Sequence, residues 1–176
     1  VSKFNEGDGS KEFPYIIRNE YDMEAISQMI QAKFTLKDIY FEVAKEVDLI
    51  DLTNLKISYV PIGNSSIPFQ GNFKGNDVVF NIDINRNLDY QGLFGVVGVS
   101  GNISEVGIKG EITGKSFVGG IAGRNYGLIS NSYNMANVNG LTTTPTSSAA
   151  SFKLSNIFNT SLVFLSNCIT LLFRGS

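Results

Sequence analysis

Asp48 and Asp51 stand three positions apart, and two well-placed carboxylates are the whole catalytic equipment that glycoside hydrolysis requires. Little other catalysis is open to this chain. It contains no histidine, so neither Ser-His-Asp nor Cys-His activation of a nucleophile is available near neutral pH. The single cysteine, Cys168, cannot build a thiolate zinc site or an intrachain disulfide. Asp8, Asp48 and Asp51 offer hard oxygens of the kind calcium takes, but no D-x-D-x-D-G loop surrounds them. Each of these acids therefore reads as a solvated turn residue, and no catalytic residue, metal or cofactor is expected.

Binding leaves more room than catalysis. Arg124, Tyr126, Tyr133 and Asn134 bring a guanidinium, two phenols and an amide into one short stretch, groups that suit a glycan or protein surface. The plainer expectation is that they stack on neighbouring structure, with Arg124-Asn125 in a solvated corner and Leu88-Asp-Tyr90 in a loop pinned to the core. A formal charge of −2 and scattered Lys and Arg give no electrostatic footprint for nucleic acid. The chain opens at Val1 without a basic or apolar leader, and reads as a segment of something longer.

The elements that must position these groups fall into three parts. In residues 1–62, Gly7, Asp8 and Gly9 punctuate a loop ahead of a short strand at Tyr15-Ile16-Ile17. Asn19 or Asp22 then suits a helix N-cap, with Met23, Ile26 and Ile30 along one narrow apolar face. From Phe34 the pattern predicts strands at Phe34 and Leu36, at Tyr40, Phe41 and Val43, and at Val47 and Leu49. In residues 63–140 the chain repeats itself. Gly92-Leu93-Phe94-Gly95 matches Gly120-Ile121-Ala122-Gly123 at an offset of 28, and Ile103 to Gly114 matches Ile129 to Gly140 at an offset of 26. A weaker copy aligns Val79, Ile82 and Ile84 with Ile103, Val106 and Ile108 at an offset of 24.

Such a period belongs to solenoids. Short apolar runs of period two predict brief strands with one buried face, and a unit of that kind must stack on the next to bury it. Glycine and asparagine, which accept positive φ cheaply, are expected at the corners, and corner asparagines can hydrogen-bond along the stack. The fold expected is all-β: a right-handed β-solenoid, or β-helix, of short strands behind an N-terminal capping helix. A leucine-rich horseshoe is the rival, since Val79-x-x-Ile82-x-Ile84-x-x-Asn87 fits the first part of its consensus. Glu111 stands where the next repeat needs asparagine, and the return limb is too rich in glycine for a helix.

Phe69-Gln-Gly71-Asn-Phe73-Lys-Gly75-Asn76 resembles the opening of bacterial surface proteins that carry the GLUG motif. Gly92-Leu93-Phe94-Gly95, and Val118 to Gly123 with Gly127 to Tyr133, are similar to the motif itself, and Tyr40 to Val43 with Val47 to Leu49 is similar to the usual lead-in. Lys74 departs from the aspartate common in that family. The resemblance implies an extracellular, repeat-built module of a large bacterial surface protein, with no catalytic residues. The expected role is adhesion to a host or matrix protein or glycan, or spacing of neighbouring domains. The alternative is a carbohydrate-binding or carboxylate-dependent polysaccharide-cleaving β-helix. Residues 141–176 read as a polar linker, Leu141 to Ser151, followed by an apolar end segment. That segment is too interrupted to cross a bilayer. It is a cap, an unstructured stretch or foreign sequence, with the cap preferred.

Overall fold

The computed structural model of the chain describes residues 4–141, 160–165 and 168–173. Strand predominates. After β1 (Tyr15–Ile17) comes α1 (Glu20–Gln31), and then β2 (Tyr40–Val43), β3 (Leu49–Asp51), β4 (Asn72–Asn85) and β5 (Phe94–Val97). They are followed by β6 (Asn102–Gly114), β7 (Ala122–Asn125), β8 (Leu128–Ser130), β9 (Tyr133–Asn134) and β10 (Asn137–Gly140). β11 (Thr160–Leu165) and β12 (Cys168–Phe173) pair antiparallel in a sheet of their own. Apart from Leu141, the expected linker lies outside the described residues.

Local chemistry explains the first elements. Asn19 sits in extended backbone and its side chain accepts from the N–H groups of Tyr21 and Asp22, so it caps α1. Met23, Ile26 and Ile30 turn inward and are buried. The strand expected at Phe34 and Leu36 does not form. The helix end takes the donors it needs, because Lys33 and Phe34 give their N–H groups to the carbonyls of Ile30 and Met29. Lys33, Leu36 and Asp38 then lie in the left-handed region, with φ of 71°, 57° and 60°, so three of six consecutive residues leave the extended conformation.

The main sheet is parallel throughout, in the order β1-β2-β4-β6-β10, with β3 beside β4 and with β8 and β9 beside β6. A second parallel sheet joins β5 to β7. Successive paired stretches form rungs. Along one position Tyr15, Phe41, Phe73, Ile103 and Ile129 pair in turn, so five rungs place a side chain in a single file. Tyr15 pairs with Phe41 at an offset of 26, and from β2 onward the offsets shorten along the chain. Tyr40 pairs with Asn72 at an offset of 32, Asn72 with Asn102 at 30, and Asn102 with Leu128 at 26.

Two of the expected repeat registers match this pairing: Phe94 lies against Ala122 at an offset of 28, and Ile103 against Ile129 at 26. The third does not. Ile103 pairs back to Phe73 at an offset of 30, and Ile108 to Phe80 at 28, where the expected offset was 24. Shifts of four or six preserve the alternation of inward and outward residues, so apolar period alone does not distinguish these registers. The true register is set by Phe73 and by the irregularity between Lys74 and Val78, where Asn76 and Asp77 take φ of 50° and 66°.

The interior is apolar and graded. Phe69 lies 5.0 Å from Phe94 and 6.3 Å from Phe41 between ring centroids, and Phe73 lies 5.6 Å from Phe94. The shorter rungs bury Ile103, Ile108, Ile112, Ile121 and Ala122 instead. No α-helix follows Gln31 among the described residues, so the return limb is not that of a leucine-rich repeat.

The glycines of Ser116 to Gly140 have a different job from the one expected. None of them adopts positive φ; the left-handed residues in that stretch are Phe117 and Asn131. Gly123 and Gly127 instead allow close approach to a neighbouring strand, as Gly95 does earlier in the chain. A Cβ on Gly127 would stand 2.2 Å from the Gly101 carbonyl oxygen, and one on Gly95 would stand 2.3 Å from that of Gly63. Asparagine does link rungs, though to acids and carbonyls. Asn76 Nδ2 donates to Glu42 Oε1 at 2.9 Å and to the Val43 carbonyl at 2.7 Å, and Asn81 Nδ2 donates to Asp51 Oδ1 at 3.0 Å.

Candidate functional site

Asp51 ends β3 and caps the 3-10 turn at Leu52–Asn54. Its Oδ1 accepts from Thr53 Oγ1 at 2.6 Å, from the Thr53 N–H at 3.0 Å and from Asn81 on the next rung. These bonds, that of the Thr53 hydroxyl foremost, hold its carboxyl below the usual range. Asp48 is exposed, and only its backbone carbonyl is engaged, by Val79 N–H at 2.9 Å. A proton donor for glycoside cleavage needs a raised pKa, and Asp51 is shifted the other way. Asp8 accepts the Ser10 N–H within its own turn, at 2.9 Å. Among the described residues no three acidic or cysteine side chains gather where a metal could sit.

A surface depression of about 490 Å³ is lined in part by Glu6, Glu12, Arg18, Glu42 and Glu46. Arg18 occupies the middle of this acidic group. Its guanidinium meets Glu6 Oε2 at 3.0 Å and also pairs with Glu46. Glu46's own backbone N–H, followed by Arg18, holds the Glu46 carboxyl low. Glu42 accepts from Asn76 and lies 3.8 Å from Lys74 Nζ, so Lys74 faces an acid one rung away. The carboxylates here fasten the N-terminal loop to β2 and β4.

The four candidate contact residues separate. Asn134 pairs with Ile108 and continues the file of Ile50 and Phe80. Its side chain closes a turn on Ala136 and packs against Gly120, where a Cβ would stand 2.1 Å from its Oδ1. Tyr133 lies flat over Gly107, whose hypothetical Cβ would stand 2.4 Å from its Cζ. Asn134 is committed to the stack, whereas Tyr133 rests on it and stays 38 % exposed. Arg124 and Tyr126, by contrast, come together, with the guanidinium carbon 4.8 Å from the Tyr126 ring centroid.

Two aromatic residues complete that cluster. Arg124 also lies 5.1 Å from the Phe117 ring, and Phe117 stacks on Tyr90 with centroids 4.9 Å apart and planes 10° from parallel. Tyr90 and Phe117 are successive copies of one position, since Tyr90 N–H donates to Ser116 and Gln91 N–H to Phe117. Both lie in the left-handed region, at φ of 62° and 53°. Sequence reasoning placed Tyr90 in a pinned loop and missed Phe117. The repeat gave no signal for it, because Gly92 aligns there with Gly120, whereas in the structure Gln91 pairs with Val118 and so sets Tyr90 on Phe117.

Comparison adds no relative. Neither protein-family models nor curated proteins nor solved structures match this chain. The functional reading rests on the residues themselves.

Proposed function

We propose that this chain is a non-enzymatic, right-handed β-solenoid module of a bacterial surface or secreted protein, which acts in adhesion to a host or matrix ligand or as a spacer between domains. The observation that carries the reading is the single file of Tyr15, Phe41, Phe73, Ile103 and Ile129 across five parallel rungs. Parallel crossovers are right-handed in nearly all proteins, hence the handedness. Such a stack spends its buried groups on apolar packing and its acids on joining rungs, which leaves function to the outer surface. The close-approach glycines at Gly92, Gly95, Gly119 and Gly123 fall in the stretches that resemble the GLUG motif, which supports that kinship. No helix among the described residues is long and apolar enough to cross a membrane. A carbohydrate-binding role is the second reading, favoured by the Arg124–Tyr126 pair.

The stacking is checked with paired cysteines in a Cys168→Ser background. Lys74 pairs with Ser104, and Ser104 with Ser130, on neighbouring parallel strands. Neighbouring strands run about 4.8 Å apart, within disulfide reach. Lys74→Cys with Ser104→Cys, and Ser104→Cys with Ser130→Cys, are each expected to oxidise quantitatively without loss of fold. Failure of either pair breaks the single file.

The function is checked by a glycan-array and matrix-protein screen of the full chain beside a chain ending at Gly140. Saturable binding retained by the shorter chain is the expected result. Silence from folded protein removes adhesion and leaves the spacer.

A further inference from the structure

We infer that Arg124 and Tyr126 form a binding point for a carboxylate-bearing sugar of an acidic polysaccharide, an assignment that rests on the adhesive reading. The described arginines differ in what they hold. Arg18 lies between Glu6 and Glu46, and Arg86 Nη2 donates to the Ser58 carbonyl at 2.8 Å. The Arg124 guanidinium has no hydrogen bond or ion pair among the described residues; it lies over two rings, Phe117 at 5.1 Å and Tyr126 at 4.8 Å. A guanidinium held against aromatic faces keeps its N–H edge available, and that edge matches a carboxylate through two parallel bonds.

The column behind it is fixed. Phe117 stacks on Tyr90, and both aromatics hold a left-handed backbone that bulky residues rarely adopt. At the other end Tyr126 is 51 % exposed, so its ring is open to a ligand. The C–H groups of a pyranose carry slight positive charge and meet the negative face of a phenol favourably. A carboxylate acceptor beside a sugar platform selects an acid sugar over a neutral one, which leaves the guanidinium unpaired. It also selects against an acidic peptide, which leaves the ring unused.

The test titrates the full chain with hexagalacturonate, with its fully methyl-esterified form and with polyglutamate of similar length. Expected are saturable, salt-sensitive binding of hexagalacturonate and binding at least about tenfold weaker for the other two probes, the size of one lost charge-assisted bond. Arg124→Gln and Tyr126→Ala are each expected to weaken hexagalacturonate binding about tenfold, with far-UV spectra unchanged. Arg124→Lys, which keeps the charge and loses the fork, falls between them and the parent, and it carries the test if Arg124→Gln does not fold. Equal affinity for polyglutamate, unchanged affinity in Arg124→Gln, or no binding of hexagalacturonate overturns the assignment. If a matrix protein or neutral glycan binds while hexagalacturonate does not, the acid-sugar assignment alone falls. Silence from every probe removes the adhesive reading as well.

Discussion

Phe69→Ala is expected to cost about 4 kcal/mol, the range measured when a buried phenyl ring is cut back to a methyl. Phe69 is fully buried and lies between Phe41 and Phe94, with centroid distances of 6.3 Å and 5.0 Å. Its backbone is held as well: Phe69 N–H donates to Val96 and Gly98 N–H donates to Phe69, at 2.9 Å and 2.8 Å. The loop carrying it therefore cannot easily collapse into the space left behind. Since domains of this size are stable by about 5–15 kcal/mol, the variant loses a large share of its margin. Urea unfolding measures the loss. Phe13→Ala, at a ring that is 67 % exposed, is the control and should stay within about 0.5 kcal/mol. A loss below about 1 kcal/mol for Phe69→Ala would show that the phenyl file is not the core.

Gly110→Ala is expected to be as damaging, through the backbone. Gly110 has φ of 105°, and an added Cβ would stand 2.0 Å from the Ile82 carbonyl oxygen on the adjacent rung. Ile82 and Gly110 are register partners between β4 and β6, so relief requires the two longest strands to separate. Strained φ and forced separation together should cost at least about 3 kcal/mol. Gly140→Ala, where nothing lies within 4 Å of the new methyl, should cost almost nothing. Thermal unfolding of the two variants side by side gives the contrast, and equal midpoints would contradict the proposed approach of β6 to β4.

Those two sites show what was readable in the chain. A cap at Asn19 or Asp22, of which the structure uses Asn19, the inward face of α1 and two of the three repeat registers follow from residue type and spacing, because each depends on contacts that are local or repeated. The register between Val79 and Ile103 failed because parity is the only cue there and a bulge at Asn76–Asp77 changes the count. Glycine misled differently. Its abundance was read as turn chemistry, whereas Gly123 and Gly127 make room for the backbone of Gly95 and Gly101 on a neighbouring rung, a constraint from distant backbone that no local window contains. The candidate site was half legible. Arg124 and Tyr126 were found as types suited to contact, but Phe117 needed the stacking of one repeat on the last, and Asn134 turned inward because it inherits the position of Ile108.

The decreasing spacing of paired strands from β2 onward, 32 residues from Tyr40 to Asn72, 30 from Asn72 to Asn102 and 26 from Asn102 to Leu128, also bears on how such a chain can change over time. The paired file changes over the same strands from Phe41 and Phe73 to Ile103 and Ile129, so spacing and side-chain volume vary together there. Copying the stretch that ends in β8 in place of the one that ends in β4 would set isoleucine where phenyl rings fill the interior and leave voids. The reverse copy would overpack. Growth by duplication is therefore easiest beside β8, where like meets like, and drift in the spacing of an inner stretch must be matched by exchange of side-chain volume within it.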